Sequence, residues 1–182
     1  MVFKMKLAVG CDPNATALKQ QMIAYVESLG HECADFGSDD PIYANTAIKV
    51  AEAVASGKYD RGILFCGTGM GIHIAASKCP HVHAAVCESV PAALRCVTAN
   101  NCNVLAMGGF YVAPRTGMAM ADAFLEHKLG DGYEDWEGFY EFHKLGYDEL
   151  EHFDYEAYKA NGFQLPNPGN APLGPEPLGH AY

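Results

Sequence analysis

The feature that most constrains this chain is an alternation of five short apolar runs, each followed by a segment with helical periodicity. The runs are Lys6–Gly10, His31–Phe36, Gly62–Cys66, His83–Cys87 and Asn103–Met107. After the first, Leu18, Met22, Val26 and Leu29 recur at helical spacing from Ala15 onward, and the pattern stops at Gly30. Further helices are predicted over 43–56, 70–78, 91–99 and 114–128, with Pro91 and Pro114 at first-turn positions. Short, continuously apolar strands separated by helices must be covered on both faces, so the sheet is parallel. The predicted fold class is α/β: a doubly wound, five-stranded parallel sheet of Rossmann-like type. Ligands of such folds sit beyond the carboxyl ends of the strands, where the winding reverses. Those ends are Cys11-Asp12, Cys66–Gly71, Glu88-Ser89 and Gly108-Gly109.

Past Lys128 the 182-residue chain changes character. Asp131 to Tyr158 is dense in aromatic and acidic residues and predicts one or two helices. Residues 161–182 carry five prolines and four glycines, an extended tail without its own core. We therefore divide the chain into an α/β domain, 1–130, and an acidic, aromatic extension, 131–182, expected to pack on the same domain or on a partner subunit. The charge follows this division. Twelve Lys and Arg against 22 Asp and Glu give −10; residues 1–125 have ten acids and nine bases, residues 126–182 twelve acids and three bases. That balance argues against nucleic acid or an anionic membrane as partner. No run approaches 18 apolar residues, so no membrane span is expected. Seven cysteines without a CxxC pair, and no signal peptide at the start, predict reduced thiols in the cytoplasm. Only three of the twelve bases are arginines, Arg61, Arg95 and Arg115, a short list for holding a phosphate.

The most informative stretch is Phe65-Cys66-Gly67-Thr68-Gly69-Met70-Gly71-Ile72. A strand delivers a cysteine, and three alternating glycines then open a helix. Glycines let backbone N–H groups converge and let a ligand approach the main chain. The helix start adds partial positive charge at the same place. Three readings compete here. One is a tight turn with a buried cysteine. Another is a dinucleotide loop, but that fingerprint is GxGxxG, and Ile72 stands where its third glycine belongs. The third is an oxyanion site, with Cys66 as a base or nucleophile favoured by the same field.

Asp12 after the first strand, Tyr43-Ala44 before the second helix, the Cys66–Ile72 segment and Asn103–Gly108 occur in order at suitable spacing. Together they resemble the family of ribose-5-phosphate isomerase B and galactose-6-phosphate isomerase over roughly residues 5–128. The resemblance implies interconversion of an aldose and a ketose through a cis-enediolate, without metal or other cofactor. It implies a homo-oligomer, dimer or tetramer, with active sites across the subunit interface. It assigns Cys66 as the base that moves a proton between C1 and C2, and Thr68 as the hydroxyl that passes protons between O1 and O2. The amides of Gly67, Gly69 and Gly71 match the anion hole, and Asp12 and Asn100 match groups that bind sugar hydroxyls. Tyr43 either lines the pocket or packs the helix start.

The departures from the family bear on the substrate. Pro13 follows Asp12 where a histidine is usual, and Ala99 precedes Asn100 where a ring-opening histidine is usual. Phe110 takes the place of an arginine after Gly108-Gly109, and no arginine follows Arg115. A tetrose 4-phosphate cannot close a furanose, because the required hydroxyl carries the phosphate, so it needs no ring opening. The Asn100-Asn101 pair likewise resembles the branch that interconverts erythrulose 4-phosphate and erythrose 4-phosphate. A pentose or hexose phosphate, a non-phosphorylated sugar, and a sugar-binding module without catalysis stay open. Arg115 is the leading anion-binding candidate, ahead of Lys19, Arg95, Lys128, Lys144 and His143. His73, Cys79, His81 and His83 lack the spacing of a closed zinc site and are expected to pack or face solvent.

Overall fold

A computed structural model describes residues 4–164. The predicted doubly wound sheet forms. Its strands are β1 (Lys6–Cys11), β2 (Glu32–Asp35), β3 (Arg61–Cys66), β4 (Ala84–Val86) and β5 (Val104–Gly108). The intervening helices are α1 (Thr16–Ser28), α2 (Tyr43–Ala55), α3 (Met70–Ala76) and α4 (Val90–Thr98), with α5 (Pro114–Leu125) after β5. All pairings are parallel, in the order β2-β1-β3-β5-β4. The three central strands are buried nearly throughout. Edge strand β2, Glu-Cys-Ala-Asp, is half exposed, as its charged ends require.

Side chains alternate across the sheet. Val9, Ile63 and Leu105 stand abreast in the register and, with Leu7, Phe65 and Met107, meet Met22, Val26, Met120 and Phe124 on the α1/α5 face. Ala8, Leu64, Cys66 and Ala106 meet Val50, Val54 and Ile72 on the α2/α3 face. One ionic exception sits in this core. Lys19 is 2% exposed, and its Nζ lies 2.6 Å from Asp35 on β2. That pair ties α1 to the sheet edge and removes Lys19 from the anion-binding candidates.

From β1 the chain steps one way to β2 and then crosses back to β3. The winding therefore reverses between β1 and β3. Register places Cys11 beside Phe65 and Cys66 beside Gly108, so the carboxyl ends of β1, β3 and β5 form one rim.

The acidic, aromatic segment contains α6 (Phe139–Glu151) and α7 (Tyr155–Ala160), two helices where one or two are expected. Ahead of α6, Tyr133, Trp136 and Phe139 gather on Ala99 at the end of α4, and the Tyr133 and Phe139 rings stack at 3.9 Å. Arg95 places its guanidinium over Tyr133, 4.9 Å from the ring centre. The tail expected over 161–182 lies almost entirely outside the described residues.

Candidate active site

The site is built where β1, β3 and β5 end together. Cys66 closes β3 with its side chain on the α2/α3 face, 4% exposed. Its Sγ accepts a hydrogen bond from the Gly69 amide at 3.1 Å. The loop above it is fastened to the chain leaving β5: Gly109 N donates to Cys66 O at 2.8 Å, and Phe110 N to Gly67 O at 2.9 Å. Thr68 Oγ1 accepts from Met70 N at 3.2 Å, which leaves its own hydrogen free to donate.

The glycines are demanded by their neighbours. Gly69 has φ +75°, and a Cβ there would lie 2.8 Å from the Met107 carbonyl carbon. A Cβ on Gly71 would lie 2.6 Å from Tyr43 Cζ, and one on Gly67 would lie 2.5 Å from Phe110 Cε2. Two aromatic rings thus press on the loop, Tyr43 from the first turn of α2 and Phe110 from the segment after β5. Tyr43 therefore lines the loop. Phe110 also forms a wall, a role its position in the sequence does not announce.

Asp12, 3% exposed, follows β1 on the same rim. Its Oδ1 accepts from Asn14 N at 2.9 Å and its Oδ2 from Asn14 Nδ2 at 3.1 Å, which fixes the carboxylate. Asp12 N donates to Phe65 O at 3.2 Å, joining the ends of β1 and β3. Arg115 lies in the exposed first turn of α5, on the carboxyl side of the sheet. The other two arginines are engaged elsewhere. Arg61 is partly buried, packs on Phe124 and donates from Nη2 to His127 O at 2.8 Å, and Arg95 covers Tyr133.

One candidate stands apart. Helix α4 runs from the carboxyl end of β4 back toward the amino end of β5, so Asn100 is exposed on the opposite rim from Cys66. There it borders a cavity of about 470 Å³ shared with Ser77, His83, His143 and Tyr147. Within one chain the structure brings together Cys66, Thr68, Gly67, Gly69, Gly71, Tyr43 and Asp12. It leaves Asn100 at the other end of the sheet.

His81 and His83, expected only to pack or face solvent, grip Glu151 of α6. His83 Nε2 lies 2.7 Å from Glu151 Oε2, and His81 Nδ1 bonds Oε1. Burial alone would raise the Glu151 carboxyl, but the bonds from His81 and His83 outweigh it and hold the group below the usual glutamate range. No local signal announces a contact between residues 68 and 70 positions apart. All seven cysteines are free thiols. Burial pushes Cys11 up to about 11 and Cys33 up to about 12, so both are held protonated. Among the described residues no three His, Cys, Asp or Glu side chains are grouped to hold a metal ion, and no helix is long and apolar enough to cross a membrane.

Fold and loop geometry define a doubly wound α/β protein with its candidate site at the switch point of the sheet. Residues 7–138 match the model of the ribose/galactose isomerase family, and the chain belongs to that family. It is an aldose–ketose isomerase, as its named relatives are. Over 136 residues it is 39% identical to the 4-deoxy-4-sulfo-D-erythrose isomerase of Clostridium sp. (strain MSTE9), spanning 72% of this chain and 86% of that one. Over 132 residues it is 33% identical to the D-erythrulose-4-phosphate isomerase of Pectobacterium atrosepticum, spanning 70% and 87%. The structure of Clostridium thermocellum ribose-5-phosphate isomerase B superposes with a TM-score of 0.74 at 32% identity, over 84% of this chain and 99% of that one.

Proposed function

We propose that the chain interconverts the aldose and ketose forms of a tetrose with an anionic group on C4, with erythrose 4-phosphate and erythrulose 4-phosphate as its pair. The observation that carries this is the Cys66 sulfur, seated at the end of β3 against the Gly69 amide, beside a hydroxyl free to donate. As a thiolate, Cys66 takes the proton from C2 of the aldose and returns it to C1. The amides of Gly67 and Gly71 face the charge that develops on the enediolate oxygens, while that of Gly69 holds the Cys66 sulfur. Thr68 passes the proton between O1 and O2, Asp12 binds a substrate hydroxyl, and Tyr43 closes the side of the pocket. Arg115 offers the nearest arginine to the substrate's charged end.

Asn100 joins this site from a second copy of the chain. The surface beside the glycine loop supports such a partner: Ile42, Met70 and Ile74 are each about half exposed there, alongside Tyr43. We take residues 1–130 as the isomerase domain and 131–182 as its extension, and the seven unpaired thiols support a reducing compartment such as the cytoplasm.

The tetrose assignment is supported by Ala99 beside Asn100, where the isomerases of ring-closed sugars carry a histidine. Two relatives named for tetroses add to it. A second substrate is favoured by one of those names and by the sparse arginines. A 4-deoxy-4-sulfo tetrose also lacks the oxygen needed for a furanose ring. It carries one charge, where a phosphate carries about −1.5 to −2. Steady-state kinetics on erythrulose 4-phosphate, the 4-sulfo tetrose, ribose 5-phosphate and free erythrose decides. An anionic tetrose is expected to give the highest kcat/KM, and preference for ribose 5-phosphate would overturn the assignment.

A further inference from the structure

Asp12 is buried, yet it is held by a residue that faces solvent, Asn14. Both belong to the turn after β1, where Pro13–Ala15 make one short helical turn capped by Asp12. A cap needs one carboxylate oxygen, and Oδ1 supplies it by accepting from Asn14 N at 2.9 Å. The second bond, from Asn14 Nδ2 to Oδ2 at 3.1 Å, is not required by the turn.

The torsion that rotates a carboxylate about its own axis is broad, so the backbone bond alone leaves the plane of Asp12 free to rock. A donor on each oxygen removes that freedom. Each oxygen has two acceptor sites, and Asn14 fills one on each. Among the described residues no other donor is bonded to this carboxylate, so one site on each oxygen is left, fixed in direction. The turn is also pressed against the rest of the rim. A Cβ on Gly109 would lie 3.0 Å from Ala15 Cβ and 3.2 Å from Asn14 O, and Gly109 N donates to Cys66 O at 2.8 Å. Asn14, Gly109 and Cys66 thus form one line of contacts across the ends of β1, β5 and β3.

We propose that Asn14 is a positioning residue of the isomerase, its side-chain amide aiming the Asp12 carboxylate at the substrate hydroxyl. The inference rests on the proposed function, in which Asp12 accepts that hydroxyl. Among the described residues the Asn14 side chain is bonded to Asp12 alone, so it acts through Asp12. An exposed side chain adds little to the stability of the fold. The second bond therefore serves the direction of the carboxylate more than the cohesion of the turn.

The test is steady-state kinetics of Asn14→Ala and Asn14→Asp on whichever of erythrulose 4-phosphate, the 4-sulfo tetrose and ribose 5-phosphate the wild type turns over fastest. Both variants keep the backbone bond to Oδ1. Asn14→Ala loses the side-chain donor, whereas Asn14→Asp fills the same space but sets a second carboxylate against Oδ2. With unfolding midpoints close to wild type, kcat/KM is expected to fall about 10-fold in Asn14→Ala. It should fall further in Asn14→Asp, an order that a merely space-filling residue would reverse. Asn14→Ala is then repeated on Asp12→Ser, which keeps a cap but has no second oxygen, and there its effect should shrink below about twofold. The role of Asn14 is overturned if Asn14→Ala matches the wild type, if Asn14→Asp outperforms Asn14→Ala, or if the loss is equal in both backgrounds. Asp12→Ser at the wild-type rate overturns the assignment of Asp12 itself, and that of Asn14 with it. Preference for ribose 5-phosphate removes the tetrose assignment and leaves this test intact. Turnover of none of the three overturns both.

Discussion

Gly69 holds Cys66 in place through its amide, and no other residue type fits there. Its φ of +75° lies in the left-handed region, and the space for a Cβ is taken by the backbone of Met107 and Gly108. Gly69→Ala is expected to cost about 1–3 kcal/mol of stability, read from denaturant unfolding. It should also remove most of the turnover, because the amide that faces Sγ must move. Wild-type turnover in this variant would separate the loop geometry from catalysis. At this scale much was legible from order alone: Cys66, Thr68 and the glycines announce a strand-to-loop site with convergent amides. What lay outside it was the reason for two of the glycines. Gly67 and Gly71 are small because Phe110 and Tyr43 lie on them, and contact across distant segments leaves no periodic trace.

Among the elements, α6 is fastened at its far end by one carboxylate. Glu151 has its folded pKa held below the usual range, so its contribution is complete above the ordinary glutamate value. It is lost as the pH falls through the lowered value, when the carboxylate takes a proton. Trp136 is the one tryptophan of the chain and packs on Phe139 at the start of α6, so its emission reports this docking. Glu151→Ala is expected to shift that emission to the red at neutral pH. The wild type should reach the same state only once the pH has fallen below the ordinary glutamate range. A variant with unshifted emission would show that the clamp does not hold the helix. The five strands were legible because each is an apolar run between helices, and the bounds hold to within about two residues. The strand order and the clamp were not, because both depend on which distant segments meet.

For the whole molecule, the sheet separates the residues proposed to form the site. Cys66 and Asp12 lie on the carboxyl rim, while Asn100 lies on the other, so a single chain cannot bring all three to one small sugar. The sequence alone indicates both halves as candidate residues, yet their separation emerges only from the direction of α4. The most direct measurement mixes two inactive variants, Cys66→Ala and Asn100→Ala, and follows isomerisation at sub-saturating tetrose. In a symmetric dimer that shares its sites, each hybrid holds one site with native Cys66 and native Asn100. Random exchange should therefore restore about a quarter of the wild-type rate. If the mixture stays as inactive as its parts, or if Cys66→Ala alone turns over like the wild type, the account of a shared site with a cysteine base is wrong.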